Sequence, residues 1–244
     1  MARILAWAAP PHGRQAVVRG RQLAQALGCE LQVVDAARTP ATTGDALALV
    51  VVGAPATLER AAAFAAAATC PVLHGRVQDG RPAPQRALMV LPAQGGALDV
   101  EAALRVASLR ELCVLQLVDE AELKAMQLAG LSLSALLDHL RARRERLEAR
   151  VRRAARLPDG AVRVHQRTAG DFFEALRGHA ARLRPQLLIV PGRLPFSWRR
   201  PFPAARLRHL LRSAGADVLT IPLQRREACA AAWPVRSRWT SRPI

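Results

Sequence analysis

The sequence predicts an α/β protein built on parallel strands. Short apolar runs bounded by glycine or proline alternate with amphipathic segments of helical length along most of the chain. Strands that alternate with helices in this way imply a parallel sheet joined by right-handed crossovers. The chain has 244 residues, of which 51% are hydrophobic, so it can bury a sizeable core and is not disordered throughout.

The first 75 residues predict four strands and two helices. Residues 3–8 are a short apolar run that ends at Pro10 and Pro11, which favours a buried strand. The helix over 14–27 ends before Gly28, a residue typical of helix C-termini. Its apolar stripe consists of Val17, Leu23, Ala24 and Leu27. Further strands are predicted over 29–35, 47–53 and 70–73, with an alanine-rich helix over 56–69.

Residues 76–86 are rich in glycine, proline and polar side chains, and we predict a linker there. The same order of elements then restarts. Strands are predicted over 87–91, 111–118, 161–166, 187–192 and 217–221, and helices over 98–109, 133–156, 172–183 and around 207–214. The predicted organisation is a short unit over 1–75, the linker, a fuller unit over 87–224 and a basic tail over 225–244.

The formal net charge of +17 makes attraction of polyanions an expectation. Lys124 is the only lysine among the 36 Lys and Arg residues, so the charge comes from arginine. An arginine bias of this kind is typical of GC-rich genomes and needs no selected partner. Charge alone therefore does not establish a polyanion-binding function.

The four cysteines are Cys29, Cys70, Cys113 and Cys229, which stand far apart and form no Cys-x-x-Cys pair. This pattern fits buried, reduced thiols in a cytoplasm better than a disulfide framework. No run of 18 apolar residues occurs, and the first apolar run meets two prolines before a signal-peptide core develops. No two histidines share the spacing of a zinc site on one element. We therefore expect a cytoplasmic protein without a metal.

Several stretches resemble the universal stress protein family. Residues 168–171, Thr-Ala-Gly-Asp, open a helix, and residues 184–193 contain the apolar strand over 187–192 that ends at Gly192. Residues 207–211 and 217–222 are similar to that family's last helix and strand, and 47–53 with 70–73 are similar to the same late elements in the first unit. The resemblance implies an adenine nucleotide alpha-hydrolase-like fold in two tandem units.

The resemblance also implies that the first unit is shortened. Between Val34 and Leu47 there is no room for the family's middle helix, strand and helix. About 11 residues of extended chain reach about 35 Å, which is enough to cross one neighbouring strand. The shortened unit is therefore physically possible.

The sequence departs from the family's pattern at the nucleotide site. ATP-binding members carry an aspartate at the end of the first strand and a Gly-x-x-Gly run that leads to Gly-Ser or Gly-Thr. This sequence has Ala9 and Pro92 at the corresponding strand ends, and Pro195 in place of the second glycine after Gly192. None of these side chains accepts a hydrogen bond, and proline supplies no N–H to a phosphate. We expect no cofactor, with ATP or AMP binding in the family's manner lost.

The basic loop after the strand over 187–192 is the candidate anion site. Its candidate ligand residues are Gly192, Arg193, Ser197, Arg199 and Arg200. Arginine forks can replace backbone N–H groups as anion ligands, and the aromatic face of Trp198 can stack on a base. The alternative is a surface loop whose tryptophan packs on the core or on a partner.

The long helix over 133–156 has one apolar and one basic side. The apolar stripe, expected to face the core or a second copy, consists of Leu133, Leu137, Leu140, Leu147, Val151 and Ala154. The other side carries Arg141, Arg143, Arg146, Arg150, Arg152, Arg153 and Arg156. A basic helix face binds RNA, anionic lipid or an acidic protein in some proteins and is solvated in others.

No nucleophile, base and orienting group are recognisable as a set, which argues against an enzyme. The leading interpretation is a non-enzymatic stress-response or regulatory binding module that acts as a homodimer or on a protein partner. One alternative is a polyanion-binding protein that uses the arginine-rich helix and loop. Another is a nucleotide-binding member, or a nucleotide-dependent enzyme, with a remodelled site.

Overall fold

The computed structural model describes residues 3–35, 46–52, 70–75, 84–91, 109–118, 120–155, 157–158, 160–168, 172–191 and 215–221. The strands are β1 (Arg3–Ala8), β2 (Glu30–Asp35), β3 (Ala46–Val52), β4 (Val72–Gly75), β5 (Arg86–Leu91), β6 (Glu111–Val118), β7 (Val162–Thr168), β8 (Leu187–Pro191) and β9 (Asp217–Ile221). The helices are α1 (Gly13–Leu27), α2 (Glu120–Leu128), α3 (Leu133–Ala155) and α4 (Phe172–Leu183). The predicted α/β class is confirmed.

The nine described strands form one sheet in the order β2-β1-β3-β4-β9-β8-β5-β6-β7. All neighbours are parallel except β4 and β9, which pair antiparallel with Val72 opposite Thr220 and His74 opposite Val218. The expectation of parallel strands throughout is therefore wrong at this one pair. The antiparallel pair joins two parallel runs that point in opposite directions, so neither β4 nor β9 is left as an open edge.

Strands β2 and β3 lie on either side of β1. Only one strand separates them, a distance that the number of residues between them allows. In the other run, β6 and β7 lie on one side of β5, and β8 and β9 lie on the other. In each parallel run, β1 to β4 and β5 to β9, the first strand along the chain therefore has later strands of the same run on both sides.

Side chains of successive strand residues alternate between the two faces of the sheet. On one face α1 and α3 pack over a cluster that includes Ile4, Val50, Leu73, Met89, Val114, Ile189 and Leu219. On the other face α4 packs through Leu176 over a cluster that includes Leu5, Trp7, Val72, Val90, Leu115, Val190 and Val218. The described part of the fold therefore has a helix, sheet, helix layering.

Helix α1 lies close to the sheet because small residues line its contact side. Its buried residues are Gly13, Ala16, Gly20 and Ala24. A Cβ at Gly20 would lie 2.9 Å from Leu31 Cδ1 and 3.0 Å from Ala6 Cβ. The predicted stripe of larger apolar residues is only partly buried, with Val17, Leu23 and Leu27 of intermediate exposure. The helix ends at Gly28 as predicted, in the left-handed conformation with φ of 64°.

Helix α3 buries a different stripe from the predicted one at its N-terminal end. Leu136 and Val151 are buried, and Leu147 and Ala154 pack against the core. Leu133 and Leu137, expected in the stripe, are 68% and 55% exposed. Both side chains lie N-terminal to Leu147, Val151 and Ala154, the residues through which α3 packs on the core. The prediction for these two residues is wrong.

Helix α2 was not predicted, because it has no buried residue and therefore no apolar periodicity. The predicted helices over 56–69, 98–109 and 207–214, and the tail, lie wholly or almost wholly outside the described residues. Among the helices of the described part, none is long and apolar enough to cross a bilayer.

Candidate functional site

The predicted anion loop lies outside the residues that the structure describes. Its five candidate ligand residues are Gly192, Arg193, Ser197, Arg199 and Arg200. The strand that leads to it is described. β8 ends at Pro191, which pairs with Ile221 of β9. In parallel sheets, ligands bind beyond the carboxyl ends of the strands, which is the edge at which β8 and β9 end. The five residues remain predicted site residues.

The end of the first strand is described, and the side chain there has no hydrogen-bond acceptor. Ala9 follows β1 and is 6% exposed. A buried methyl group therefore occupies the position at which an aspartate would accept hydrogen bonds from a nucleotide. The next two residues, Pro10 and Pro11, have no N–H to donate to an anion. The corresponding residue of the second run, Pro92, lies outside the described residues.

Helix α1 begins directly against this strand end. A Cβ built on Gly13 would lie 2.5 Å from the Ala8 carbonyl carbon, which only glycine avoids. The His12 carbonyl accepts hydrogen bonds from the N–H groups of Gln15 at 3.0 Å and Ala16 at 3.2 Å. The backbone of β1 thus lies directly beside Gly13.

A buried polar pair lies where the two parallel runs meet. His74 of β4 and Thr220 of β9 are 2% and 1% exposed, and His74 Nε2 lies 3.3 Å from Thr220 Oγ1. The Thr220 hydroxyl donates to the Val72 carbonyl at 3.2 Å. Burial lowers the pKa of His74 to about 3, so the imidazole is neutral at physiological pH. A histidine enclosed in this way is a structural group and has no access to a substrate.

A second buried polar contact joins α1 to β9. Arg19 Nη2 lies 2.6 Å from Asp217 Oδ2, and the two side chains are 16% and 4% exposed. The residues are 198 positions apart in sequence, so no local pattern indicates the contact. It ties the first run of strands, through its helix, to the last strand of the second run.

The described cysteines are poor nucleophiles. Burial raises the pKa of the Cys113 thiol to about 11, an effect that the nearby charge of Arg163 partly opposes. Burial also raises the pKa of Cys29. Because the thiolate is the reactive form, the raised pKa lowers the reactivity of both thiols. Cys70 is buried, as predicted for a structural thiol, and Cys229 lies outside the described residues.

Carboxylates neutralise part of the basic side of α3. Glu122 of α2 accepts two hydrogen bonds of 3.0 Å from Arg143, and Glu148 pairs with Arg152 at 2.8 Å. Arg146 and Arg153 instead donate through Nε to the carbonyls of Ala142 and Ala149. The pairing of Arg143 was not distinguishable in the sequence, since Glu122 belongs to the helix that was not predicted. Glu148 and Arg152, in contrast, are four residues apart on the predicted helix, a spacing at which opposite charges pair.

The structure also brings together basic residues that were not singled out in the sequence. His165 of β7 and His179 of α4 have ring centroids 5.7 Å apart. Desolvation lowers the pKa of His179, and the charges of His165, Arg167 and Arg182 lower it further. The signal that sequence reasoning could have used is the alternation Arg-x-His-x-Arg over 163–167, which places three basic side chains on one face of a strand. In the described part of the chain, no group of three His, Cys, Asp or Glu side chains could hold a metal ion.

No family model matches the chain, and no curated protein matches it. Among solved structures, a universal stress protein from Archaeoglobus fulgidus DSM 4304 is similar over 93% of this chain and 88% of its own, with 11% identity and a TM-score of 0.48. A functionally unknown protein from Pseudomonas aeruginosa PAO1 is similar over 91% of this chain and 92% of its own, with 16% identity and a TM-score of 0.43. The cytoplasmic domain of a prokaryotic cation chloride cotransporter is similar over 90% and 84%, with 12% identity and a TM-score of 0.39. At such identities the similarity concerns the fold alone, and universal stress proteins are among the structural neighbours of this chain.

Proposed function

We propose that the chain is a cytoplasmic, non-enzymatic binding module made of two tandem universal-stress-protein-like units. The units are the short one over 1–75 and the fuller one over 87–224, joined by the linker over 76–86. The strand order supports this division, because β1 and β5 each lie inside a parallel run with later strands on both sides. The module is proposed to act on a protein partner or as a homodimer in a stress response or in regulation.

The single observation that carries the loss of ATP binding is the buried Ala9 at the end of β1. A methyl group there accepts no hydrogen bond from a ribose or a base. Pro10 and Pro11, which follow Ala9, supply no N–H to a phosphate. The raised pKa of the Cys29 and Cys113 thiols and the enclosed His74 support a non-enzymatic role. The loop with Arg193, Arg199 and Arg200 is the remaining place where a remodelled anion site is proposed.

The test of this proposal is calorimetric titration of the purified full chain with ATP and with AMP. We expect no binding at micromolar concentration, because the acceptor and the phosphate cradle are absent from the sequence. The control is the variant Gly192→Asp, whose carboxylate would repel a phosphate at the fuller unit's loop. Micromolar ATP affinity that Gly192→Asp abolishes would overturn the loss of nucleotide binding.

A second candidate function, polyanion binding on α3, is favoured by the arginines that lack a carboxylate. Arg144, Arg146 and Arg153 are exposed and form no ion pair within the described residues. Arg146 and Arg153 lie seven residues apart, so they share one side of the helix. Exposed guanidinium groups without an internal counter-charge are available to phosphates.

For this candidate we expect single-stranded RNA to bind with an affinity that falls steeply with salt. Replacing both Arg146 and Arg153 by glutamine should lower the slope of log affinity against log salt by about 1.4, since each lost phosphate contact on a single strand contributes about 0.7. The matched control replaces Arg141 and Arg152, which lie beside Asp138 and Glu148, and should change the slope less. Fluorescence anisotropy over a salt series measures both slopes. Absence of RNA binding at low salt would remove this candidate.

A further inference from the structure

Among the strands that the structure describes, β7 is the last at one edge of the sheet, and it carries a row of basic side chains. Arg163, His165 and Arg167 are exposed. In the register with β6 they stand beside Cys113, Leu115 and Leu117, and the two leucines belong to the core cluster beneath α4. The three basic side chains therefore lie on the α4 side of the sheet, one at every second residue of the edge strand.

Helix α4 adds two further basic groups to this row. The ring of His179 lies 5.7 Å from that of His165, centroid to centroid. Arg167 and Arg182 lie near enough for their charges to lower the pKa of His179. Arg163, Arg167 and Arg182 form no ion pair within the described residues, in contrast to Arg143 and Arg152 of α3. We call these five residues, 163, 165, 167, 179 and 182, the β7 basic row.

The other face of β7 is apolar or already occupied. Val162 is buried, and Val164 packs against the cluster beneath α1 and α3. Gln166 donates to Gln116 at 2.9 Å and to the Leu140 carbonyl at 3.1 Å. An edge strand also presents a row of backbone N–H and C=O groups that another strand can pair with.

We propose that the β7 edge accepts an extended acidic segment of a partner protein as a tenth strand, with carboxylates at alternate positions opposite Arg163, His165 and Arg167. Main-chain hydrogen bonds to the edge would supply the pairing, and opposite charges directly across the strands would select the partner. Small or β-branched residues at the intervening positions would lie beside Val164. The site is separate from the strand ends and does not depend on whether a nucleotide binds there.

The charge of the edge itself decides against the β7 edge of a second copy as the occupant. Two copies paired through β7 would set one basic row against another, whereas an acidic strand is attracted to the row. Single-stranded RNA is the other polyanion to consider, and it is held by stacking on aromatic rings as well as by charge. The only rings among the five residues of the β7 basic row are the two imidazoles. An alternating acidic strand matches the spacing of the row without needing such a platform.

The experiment titrates the full chain with fluorescent peptides and follows anisotropy. The first peptide is a seven-residue alternation of glutamate and threonine, and the second replaces its glutamates by lysines. We expect the glutamate peptide to bind and the lysine peptide not to bind. In the double variant Arg163→Glu with Arg167→Glu, affinity for the glutamate peptide should fall by roughly tenfold or more, and the lysine peptide should gain affinity, because the cross-strand charges are reversed.

The matched control is Arg14→Glu with Arg21→Glu, two exposed arginines of α1, which changes the net charge by the same amount. It should leave the affinity for the glutamate peptide within about twofold, since no carboxylate of the added strand faces these residues. A loss in this control equal to that in the β7 variant would show attraction by net charge alone and would overturn the proposal.

Strand addition itself is tested without any protein variant. In a bound peptide strand, the backbone N–H groups on one edge donate hydrogen bonds to β7. Methylation of these nitrogens should abolish binding, whereas methylation of the nitrogens on the opposite edge of the peptide should not. A peptide of the same composition with its glutamates in one block should bind at least fivefold more weakly. Equal binding of the blocked and alternating peptides, or binding of oligouridylate and not of either peptide, would overturn the proposal.

Discussion

Replacing Arg19 by leucine is expected to lower the free energy of unfolding by about 3 kcal/mol, because the buried carboxylate of Asp217 loses its counter-charge. The two side chains meet at 2.6 Å between Nη2 and Oδ2 and are 16% and 4% exposed, so solvent cannot replace the guanidinium at the carboxylate. Breaking one side of such a pair costs more than removing both sides. The effect is measured by urea denaturation followed by circular dichroism at pH 7.

Two further variants separate this explanation from a general loss of packing. Arg21→Leu removes an exposed arginine from the same helix and should change the free energy of unfolding by less than about 0.5 kcal/mol. Arg19→Leu combined with Asp217→Leu should be more stable than Arg19→Leu alone, since no buried charge remains without its partner. A double variant that is as unstable as the sum of its single variants would contradict the ion-pair account.

Local patterns in the sequence predicted most of the described elements. The strand over 217–221 and the helix over 172–183 have the predicted bounds, because breakers flank clear apolar periodicities. Helix α2 could not be found in this way, since it buries nothing. The stripe of α3 was placed wrongly at Leu133 and Leu137 because periodicity gives the spacing of a stripe and not the point at which a helix leaves the sheet.

Contacts between distant segments could not be predicted from one sequence. The antiparallel pairing of β4 with β9 joins segments almost 150 residues apart, as the separation of 146 between His74 and Thr220 shows. Each strand is an equally plausible neighbour of several others until the whole sheet is assembled. The same holds for His165 and His179, which come together only because α4 crosses beside β7. Of the candidate site, the sequence could predict the buried alanine at the end of β1 and not the basic row on the edge strand.

The neutral, enclosed His74 leads to the second large effect, a loss of stability at acidic pH. Because the Thr220 hydroxyl donates to the Val72 carbonyl, His74 must be the donor in its contact with Thr220, through Nε2. Its Nδ1 is buried and has no hydrogen-bond partner among the described residues. Protonation would place an unpaired N–H and a charge in the core, which is why burial lowers the pKa to about 3 from its ordinary value of 6.5.

At a pH between these two pKa values, His74 is protonated in the unfolded chain and neutral in the folded chain. The free energy of unfolding should therefore fall by about 1.4 kcal/mol for each pH unit below 6.5, through this histidine alone, until pH approaches 3. His74→Leu removes this pH-dependent contribution. The free energy of unfolding of the variant minus that of the native chain should therefore be about 2.8 kcal/mol larger at pH 4.5 than at pH 7. Urea denaturation of both proteins from pH 4.5 to 7 measures the gain, and differences due to the carboxylates cancel between them. Parallel stability curves for the native chain and His74→Leu would mean that the imidazole takes up a proton in the folded state, and hence that the junction between β4 and β9 opens to water.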